Sequence, residues 1–177
     1  MDETTNKTLG EYIFELAKGN INVLENIYLI MSRILYSVGN IYYNQKADIE
    51  DAIQDLLIEL FNKARHFKVN TNACAWIVKI YVNLIKNKWK RQKKEHNYIA
   101  DSITKLEIES NIENDKYLEN YTFINLIFSR LSKQERQLLI YRYWCNCSIG
   151  DISAILKRPK STIESQLKVL EEKIKQF

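Results

Sequence analysis

The sequence predicts an all-α protein in which two helical domains are joined by an acidic linker. Only four glycines and one proline occur among its 177 residues, which are too few turn formers for a β-sandwich or a barrel. Apolar residues recur at helical spacing through the first half, and three helix-opening signatures of the form Ser-x-x-acid occur near the end. We therefore expect one helical domain at residues 1–94, the linker at 95–120 and the second domain at 121–177.

The composition predicts a soluble, cytoplasmic protein that needs no cofactor. No apolar run approaches the roughly 18–20 residues of a membrane span, and the polar start of the chain does not resemble a signal peptide. Cys74, Cys145 and Cys147 lack a second cysteine pair or a histidine at zinc spacing, so we expect reduced, structural thiols and no metal. The formal charge of +4 is mild, and its distribution along the chain is more informative.

Three amphipathic helices are predicted in the first 64 residues. The first includes Ile13 and stops at Gly19, and the second runs from Val23 to Gly39. The third has the most regular apolar pattern, with Asp48 in position to be its N-cap. Residues 48–59 contain five acids and no basic residue. Four polar side chains lie away from the apolar stripe and form a candidate partner-binding face: Glu50, Asp51, Gln54 and Asp55.

A fourth helix should begin near Thr71 or Asn72 and bury a single line of side chains, namely Ala73, Ile77, Ile80 and Leu84. Residues 79–94 contain seven basic residues and no acid. Lysines and asparagines at helical spacing suit phosphate and base-edge contacts, which predicts a nucleic-acid-binding face. Its candidate residues are Trp76, Lys79, Asn83, Lys86, Asn87 and Lys90.

The last third predicts a helix-turn-helix, although a plain helical hairpin fits the pattern as well. The signatures are Ser132 with Glu135, Ser148 with Asp151, and Ser161 with Glu164. A short basic turn at 157–160 separates the last two helices, and Ser161 is expected to cap the final helix. The candidate DNA contacts are Lys160, Ser161, Thr162, Ser165, Gln166 and Lys168.

Taken together, these segments resemble bacterial RNA polymerase sigma factors of the sigma-70 family, specifically the two-domain extracytoplasmic-function type. Residues 48–61, with Asp51 and Gln54, look like the family's region 2.2. Residues 75–91, with Trp76, Asn83 and a basic end, look like regions 2.3 and 2.4. The stretches 131–143 and 148–156 are similar to region 4.

The resemblance implies a promoter-specificity subunit rather than an enzyme. The acidic third helix would bind the clamp helices of the polymerase β′ subunit, and the fourth helix would open the −10 element. The linker would follow the RNA exit path, and the helix-turn-helix would read the −35 element beside the β flap. Core RNA polymerase and promoter DNA are thus the implied partners, no membrane is involved, and an anti-sigma factor is a further candidate.

The final helix departs from the family pattern. Glu164, Gln166 and Val169 stand where basic residues are common in the family, and Glu171 adds an acid further on. This predicts weak −35 binding. Gln166 is expected to point outward, where it could pair with adenine. Two alternatives remain open: a helix-turn-helix regulator, or a sigma-like accessory factor that binds polymerase or DNA without directing initiation. An enzyme is disfavoured because the sequence offers no nucleophile and base pair and no phosphate-binding loop.

Overall fold

The regular elements of the computed structural model, which describes residues 1–68, 71–96, 128 and 130–176, are helices, with no strand in those ranges. This confirms the all-α prediction. The first half contains α1 (Glu3–Ala17), α2 (Val23–Gly39), α3 (Lys46–Lys63), a 3-10 turn (Ala64–His66) and α4 (Ala73–His96). The second half contains α5 (Lys133–Leu139), a π-helix (Ile140–Trp144), α6 (Ile149–Leu156) and α7 (Lys160–Ile174).

The first four helices pack around a close approach at Gly39. A Cβ atom built on this glycine would lie 2.6 Å from Ile49 Cγ2 and 2.9 Å from Tyr81 Oη. Any other residue would push α2 away from α3 and α4, because both contacts are shorter than van der Waals distance. The close packing of α2 against Ile49 on the apolar side of α3 therefore requires glycine at position 39.

The start of α3 differs from the prediction. The helix begins at Lys46 after Gln45, whose backbone is extended at φ −104° and ψ 136°. The prediction of Asp48 as N-cap is wrong. The residues that precede Ile49 in the helix are not part of the apolar pattern, so the pattern does not show that the helix begins as early as Lys46. Asp48 instead lies in the first turn, where its negative carboxylate interacts favourably with the positive end of the helix dipole.

Two of the three predicted capping signatures are confirmed. Ser132 and Glu135 form a reciprocal capping box on α5, and Ser148 and Asp151 form one on α6. The third is wrong, because α7 begins at Lys160 after Pro159 and has no side-chain cap. Proline fixes φ at a value suited to helix entry, so Ser161 already lies within the first turn.

Helix α4 is buried on more sides than the predicted single line. Besides Ala73, Ile77 and Ile80, its buried residues include Cys74, Val78 and Tyr81, whereas Leu84 is only half-buried. The reason is that α4 contacts α1, α2 and α3 on one side and α6 of the second half on another. The described halves therefore share a continuous apolar core.

The predicted linker lies outside the described residues, except that α4 continues to His96. The domain boundaries at 94 and 121 thus remain predictions. Among the described helices, none has the length and apolar character needed to cross a bilayer.

Candidate protein and nucleic-acid interfaces

The acidic face of α3, defined as Asp51, Gln54, Asp55 and the neighbouring Ile58, is exposed to solvent. These residues follow the i, i+3, i+4, i+7 spacing of one helix face. Ile58 is an apolar side chain beside the carboxylates, and it is 64% exposed. The acidic face therefore offers both charge and apolar area to a partner.

Glu50 is separated from this face. It is half-buried, its carboxylate accepts a hydrogen bond from Tyr36 Oη at 3.1 Å, and it lies 3.9 Å from Lys46 Nζ. Burial, with hydrogen bonds to Tyr28 and Glu50, raises the pKa of Tyr36. Of the four predicted partner-binding residues, the structure groups three and gives Glu50 contacts within the first half.

The basic face of α4 comprises Lys79, Asn83, Lys86, Asn87 and Lys90 on one continuous helix. Lys79, Asn87 and Lys90 are exposed, while Asn83 and Lys86 are half-buried. Lys88, which projects from the opposite side of α4, lies 3.9 Å from Asp55 of the acidic face. Lys88 is thus the basic residue of α4 that pairs with the acidic face, and the five residues of the basic face lie on the other side of the helix.

Trp76 is half-buried at the start of α4. Its ring meets Phe67 edge to face, with centroids 5.2 Å apart and planes at 66°. Phe67 follows the 3-10 turn at the end of α3. The two rings pack the start of the loop between the 3-10 turn and α4 against α4. Part of this loop, residues 69–70, lies outside the described residues.

Lys86 is where the second half reaches the basic face. Its Nζ donates to the carbonyl of Ile155 in α6 at 3.4 Å. Burial, followed by the positive charges of Lys157, Arg158 and Lys90, lowers the pKa of Lys86. The basic turn of the helix-turn-helix therefore lies beside the basic face of α4, a proximity that no sequence spacing predicts.

The outer face of α7 carries most of the predicted DNA contacts. Lys160, Ser161, Thr162, Ser165 and Lys168 are exposed, as is Glu164. Ile163, Leu167 and Leu170 are buried, which agrees with the predicted apolar side of α7.

Gln166 does not point outward, so that prediction is wrong. It is half-buried and lines a groove with Leu138 and Val169. Its Oε1 is shielded from solvent and has no hydrogen-bond partner among the residues that the structure describes. The groove at α5 accommodates the side chain, and helical periodicity alone does not reveal such a groove.

Several polar contacts join the two halves. Asn72 Nδ2 donates to the carbonyl of Asn146 at 2.9 Å, and Gln137 Nε2 donates to Tyr42 Oη at 2.8 Å. Lys133 Nζ lies 5.4 Å from the centre of the Trp89 ring, within the range of a cation–π contact. Sequence reasoning missed all of these, because the partners are far apart in the chain and belong to different helices.

The comparisons with known proteins identify both halves. The model "Sigma-70 region 2" matches residues 28–95, and the model "Sigma-70, region 4" matches residues 124–168. None of the curated proteins compared with the chain matches its sequence.

Two solved structures share the fold across most of the chain. CnrH, in complex with the cytosolic domain of CnrY, is 13% identical with a TM-score of 0.58, and the match covers 97% of this chain and 95% of that one. The sigma factor RpoE from Bartonella quintana, in complex with the anti-sigma factor NepR, is 18% identical with a TM-score of 0.57, covering 86% and 93%. Since the two family models together span well over half of the sequence, the chain belongs to the sigma-70 family.

Proposed function

We propose that the chain is a sigma factor of the extracytoplasmic-function type, which binds core RNA polymerase and directs initiation at promoters with matching −10 and −35 elements. The observation that carries this proposal is that region 2 presents two separate faces of opposite charge to solvent. The acidic face of α3 suits a basic protein, and the basic face of α4 suits DNA. A simple DNA-binding regulator needs only a face that binds DNA.

In this proposal the acidic face binds the clamp helices of the β′ subunit. Asp51, Gln54 and Asp55 are free of the apolar core, so their charge and hydrogen-bonding groups are available to a partner. Ile58 adds apolar contact at the same place. Glu50 contributes by holding Tyr36 of α2 rather than by direct contact.

The basic face of α4 is assigned to the −10 element. Lys79, Lys86 and Lys90 supply phosphate contacts, and Asn83 and Asn87 supply base-edge contacts. An opened strand also needs an aromatic surface near a basic track. Trp76 with Phe67 provides that surface beside the start of α4.

Region 4 is assigned to the −35 element and the β flap. Lys160, Ser161, Thr162, Ser165 and Lys168 form its exposed DNA-facing side, with Gln166 behind them. Residues 95–120, which are acidic in sequence, would follow the RNA exit path between the two promoter contacts. The protein would act in the cytoplasm, and it would have no catalytic role of its own.

An anti-sigma factor is a further proposed partner. The solved structure of RpoE that shares this fold is a complex with the anti-sigma factor NepR. A protein of that class would compete with polymerase for the faces described above.

A second candidate function is favoured by α7. Its exposed Glu164 and its inward-facing Gln166 weaken the case for −35 reading. A sigma-like accessory factor that binds polymerase without directing initiation would tolerate such a helix.

Run-off transcription tests the proposal. Purified core polymerase is combined with the full chain on DNA from upstream of the chain's own gene, and on the same DNA with its −10 region scrambled. A discrete transcript that requires both the chain and the intact −10 region is expected. Stable binding to core polymerase without any transcript would favour the accessory factor instead.

A further inference from the structure

Three cysteines from both halves of the chain meet at the contact between region 2 and region 4. Cys74 lies at the start of α4, and Cys145 and Cys147 lie between the π-helix and α6. All three are free and at most 1% exposed. The Cys145 thiol interacts with the thiols of both Cys147 and Cys74. Within the described residues, no group of three or more His, Cys, Asp or Glu side chains is arranged to hold a metal ion.

The backbone holds these thiols together. Asn72 Oδ1 accepts from the amide of Ala75 at 2.9 Å and so caps α4, while its Nδ2 donates to the carbonyls of Cys145 at 3.3 Å and Asn146 at 2.9 Å. Asn146 has a left-handed backbone with φ of 48°. The cysteines on either side of this turn are both buried.

Separating the two halves would pull Cys74 away from Cys145. The contact that holds the halves together also covers Lys86, which donates to Ile155 in α6. A covalent bond between Cys74 and Cys145 would therefore keep the second half against the basic face of α4. We propose that peroxide oxidises Cys74 and Cys145 to a disulfide, which fixes region 4 on region 2.

The reaction balances with peroxide as the oxidant. One thiolate attacks a peroxide oxygen, the O–O bond breaks, and the cysteine becomes a sulfenic acid while hydroxide leaves. The second thiol loses its proton and attacks that sulfur as a thiolate. The S–S bond forms as the S–O bond breaks, and the departing hydroxide takes up the released proton to become water. Overall the two thiols lose two electrons and two protons, and peroxide is reduced to two waters.

Oxidation should begin when the halves part. The adjacent thiols of Cys147 and Cys74, and then burial, raise the pKa of the Cys145 thiol, so the closed arrangement keeps it protonated and unreactive. Transient opening admits water and peroxide to the cysteines. When the halves close again, the sulfenic acid comes back into contact with the other thiol, and the disulfide forms.

Peptide mapping tests the disulfide without reference to transcription. The full chain is treated with hydrogen peroxide, its remaining thiols are alkylated, and it is digested with trypsin without reductant. We expect a linked pair of the peptides 69–79 and 143–157 that disappears on reduction. Cys74→Ala should abolish the linked pair, and Cys147→Ala, the matched control, should retain it.

Fragmentation of the linked wild-type peptides assigns the sulfur atoms even if a variant fails to fold. Linkage through Cys145 supports the proposal. Absence of the linked pair, linkage of Cys74 through Cys147, or a disulfide confined to Cys145 and Cys147 would each overturn it.

The consequence for DNA rests on the proposed function and has its own measurement. Oxidised wild type should lose promoter binding in the presence of core polymerase and regain it with dithiothreitol. Cys74→Ala after the same treatment should keep its binding. A mapped cross-link with unchanged binding would overturn the claim that closure withholds Lys86 from promoter DNA. A reduced protein without promoter binding would instead count against the proposed function, while the peptide map still decides the disulfide.

Discussion

The two halves of the chain arrange charge in opposite ways. Region 2 separates its charges into an acidic face on α3 and a basic face on α4, so each face presents one sign. Helix α7 of region 4 mixes them, with three lysines and three glutamates along 15 residues, and Lys173 is already paired with Glu135 at 2.9 Å. Separated charge gives strong, salt-sensitive attraction, whereas mixed charge gives little. Region 2 should therefore supply most of the binding free energy, and region 4 should mainly position the complex.

Charge reversal on the acidic face should give the largest effect. Asp51→Lys should weaken binding to core polymerase about tenfold or more, equivalent to ~1.4 kcal/mol, because a basic partner would meet a like charge. Fluorescence anisotropy with labelled protein measures this. Glu11→Lys, an exposed acid on α1, is the matched control, and equal effects from the two variants would remove α3 from the interface.

Two alanine variants can distinguish phosphate contacts from base contacts on the basic face of α4. Lys86→Ala should weaken binding to all promoters alike and reduce the salt dependence by about one unit of slope, because one phosphate contact is lost. Asn83→Ala should keep the slope and change which −10 sequences are tolerated. The measurement is binding of the polymerase complex to a set of −10 variants over a range of salt. Identical behaviour of both variants would contradict this division.

Region 4 should bind DNA more tightly if an acidic residue on the exposed side of α7 is replaced by a basic one. Glu164→Lys should strengthen DNA binding at low salt by about fivefold, since a charge pair at ~4 Å in water is worth ~1 kcal/mol. Sequence preference should change little, because phosphate contacts carry no base information. Glu172→Lys, exposed near the far end of α7, is the control. An equal gain from both would indicate a nonspecific effect of net charge.

The smallest expected effect is on pH-dependent stability at the start of α5. Burial raises the pKa of Glu135, but hydrogen bonds from Lys173 and Ser132 outweigh it and hold this pKa below the ordinary value of 4.5. A carboxylate with a lowered pKa stabilises the fold above pH 4.5 and loses that contribution as the pH falls through its folded pKa. Glu135→Gln should therefore be less stable by ~0.5–1 kcal/mol near neutral pH.

Urea unfolding at about pH 7 and about pH 3 measures the difference between wild type and Glu135→Gln. The gap should shrink as the pH falls, because protonation of the wild-type carboxyl removes the charge that Lys173 stabilises. A gap of constant size would mean that Glu135 contributes through packing rather than charge.

Much of the fold follows from local sequence patterns. The helical periodicity around Ile49 and the Ser-x-x-acid boxes at Ser132 and Ser148 are determined by residues within a few positions of each other, and these predictions are confirmed. Asp48 and Ser161 failed as caps for a local reason too, because a neighbouring residue, Gln45 or Pro159, starts the helix earlier.

The candidate sites are less predictable, since they depend on which helices meet. Helical spacing correctly groups Asp51 with Asp55, but it cannot show that Glu50 is used by Tyr36. It also cannot show that Gln166 lies in a groove against α5, or that Lys86 meets Ile155. Each of these contacts joins residues whose separation in the chain carries no periodic signal.

The burial of α4 by both halves has a consequence for the order of folding. Helices α5 and α6 have only seven and eight residues, well below the ~12–15 at which isolated helices become marginally stable in water. The second half should therefore gain its structure by docking on a surface that already exists. During synthesis the first half emerges first and can complete the bundle of α1 to α4 while the rest is still being translated. Once residue 96 has left the ribosome, the nascent chain would carry a folded first half, and the remaining helices would form against α4.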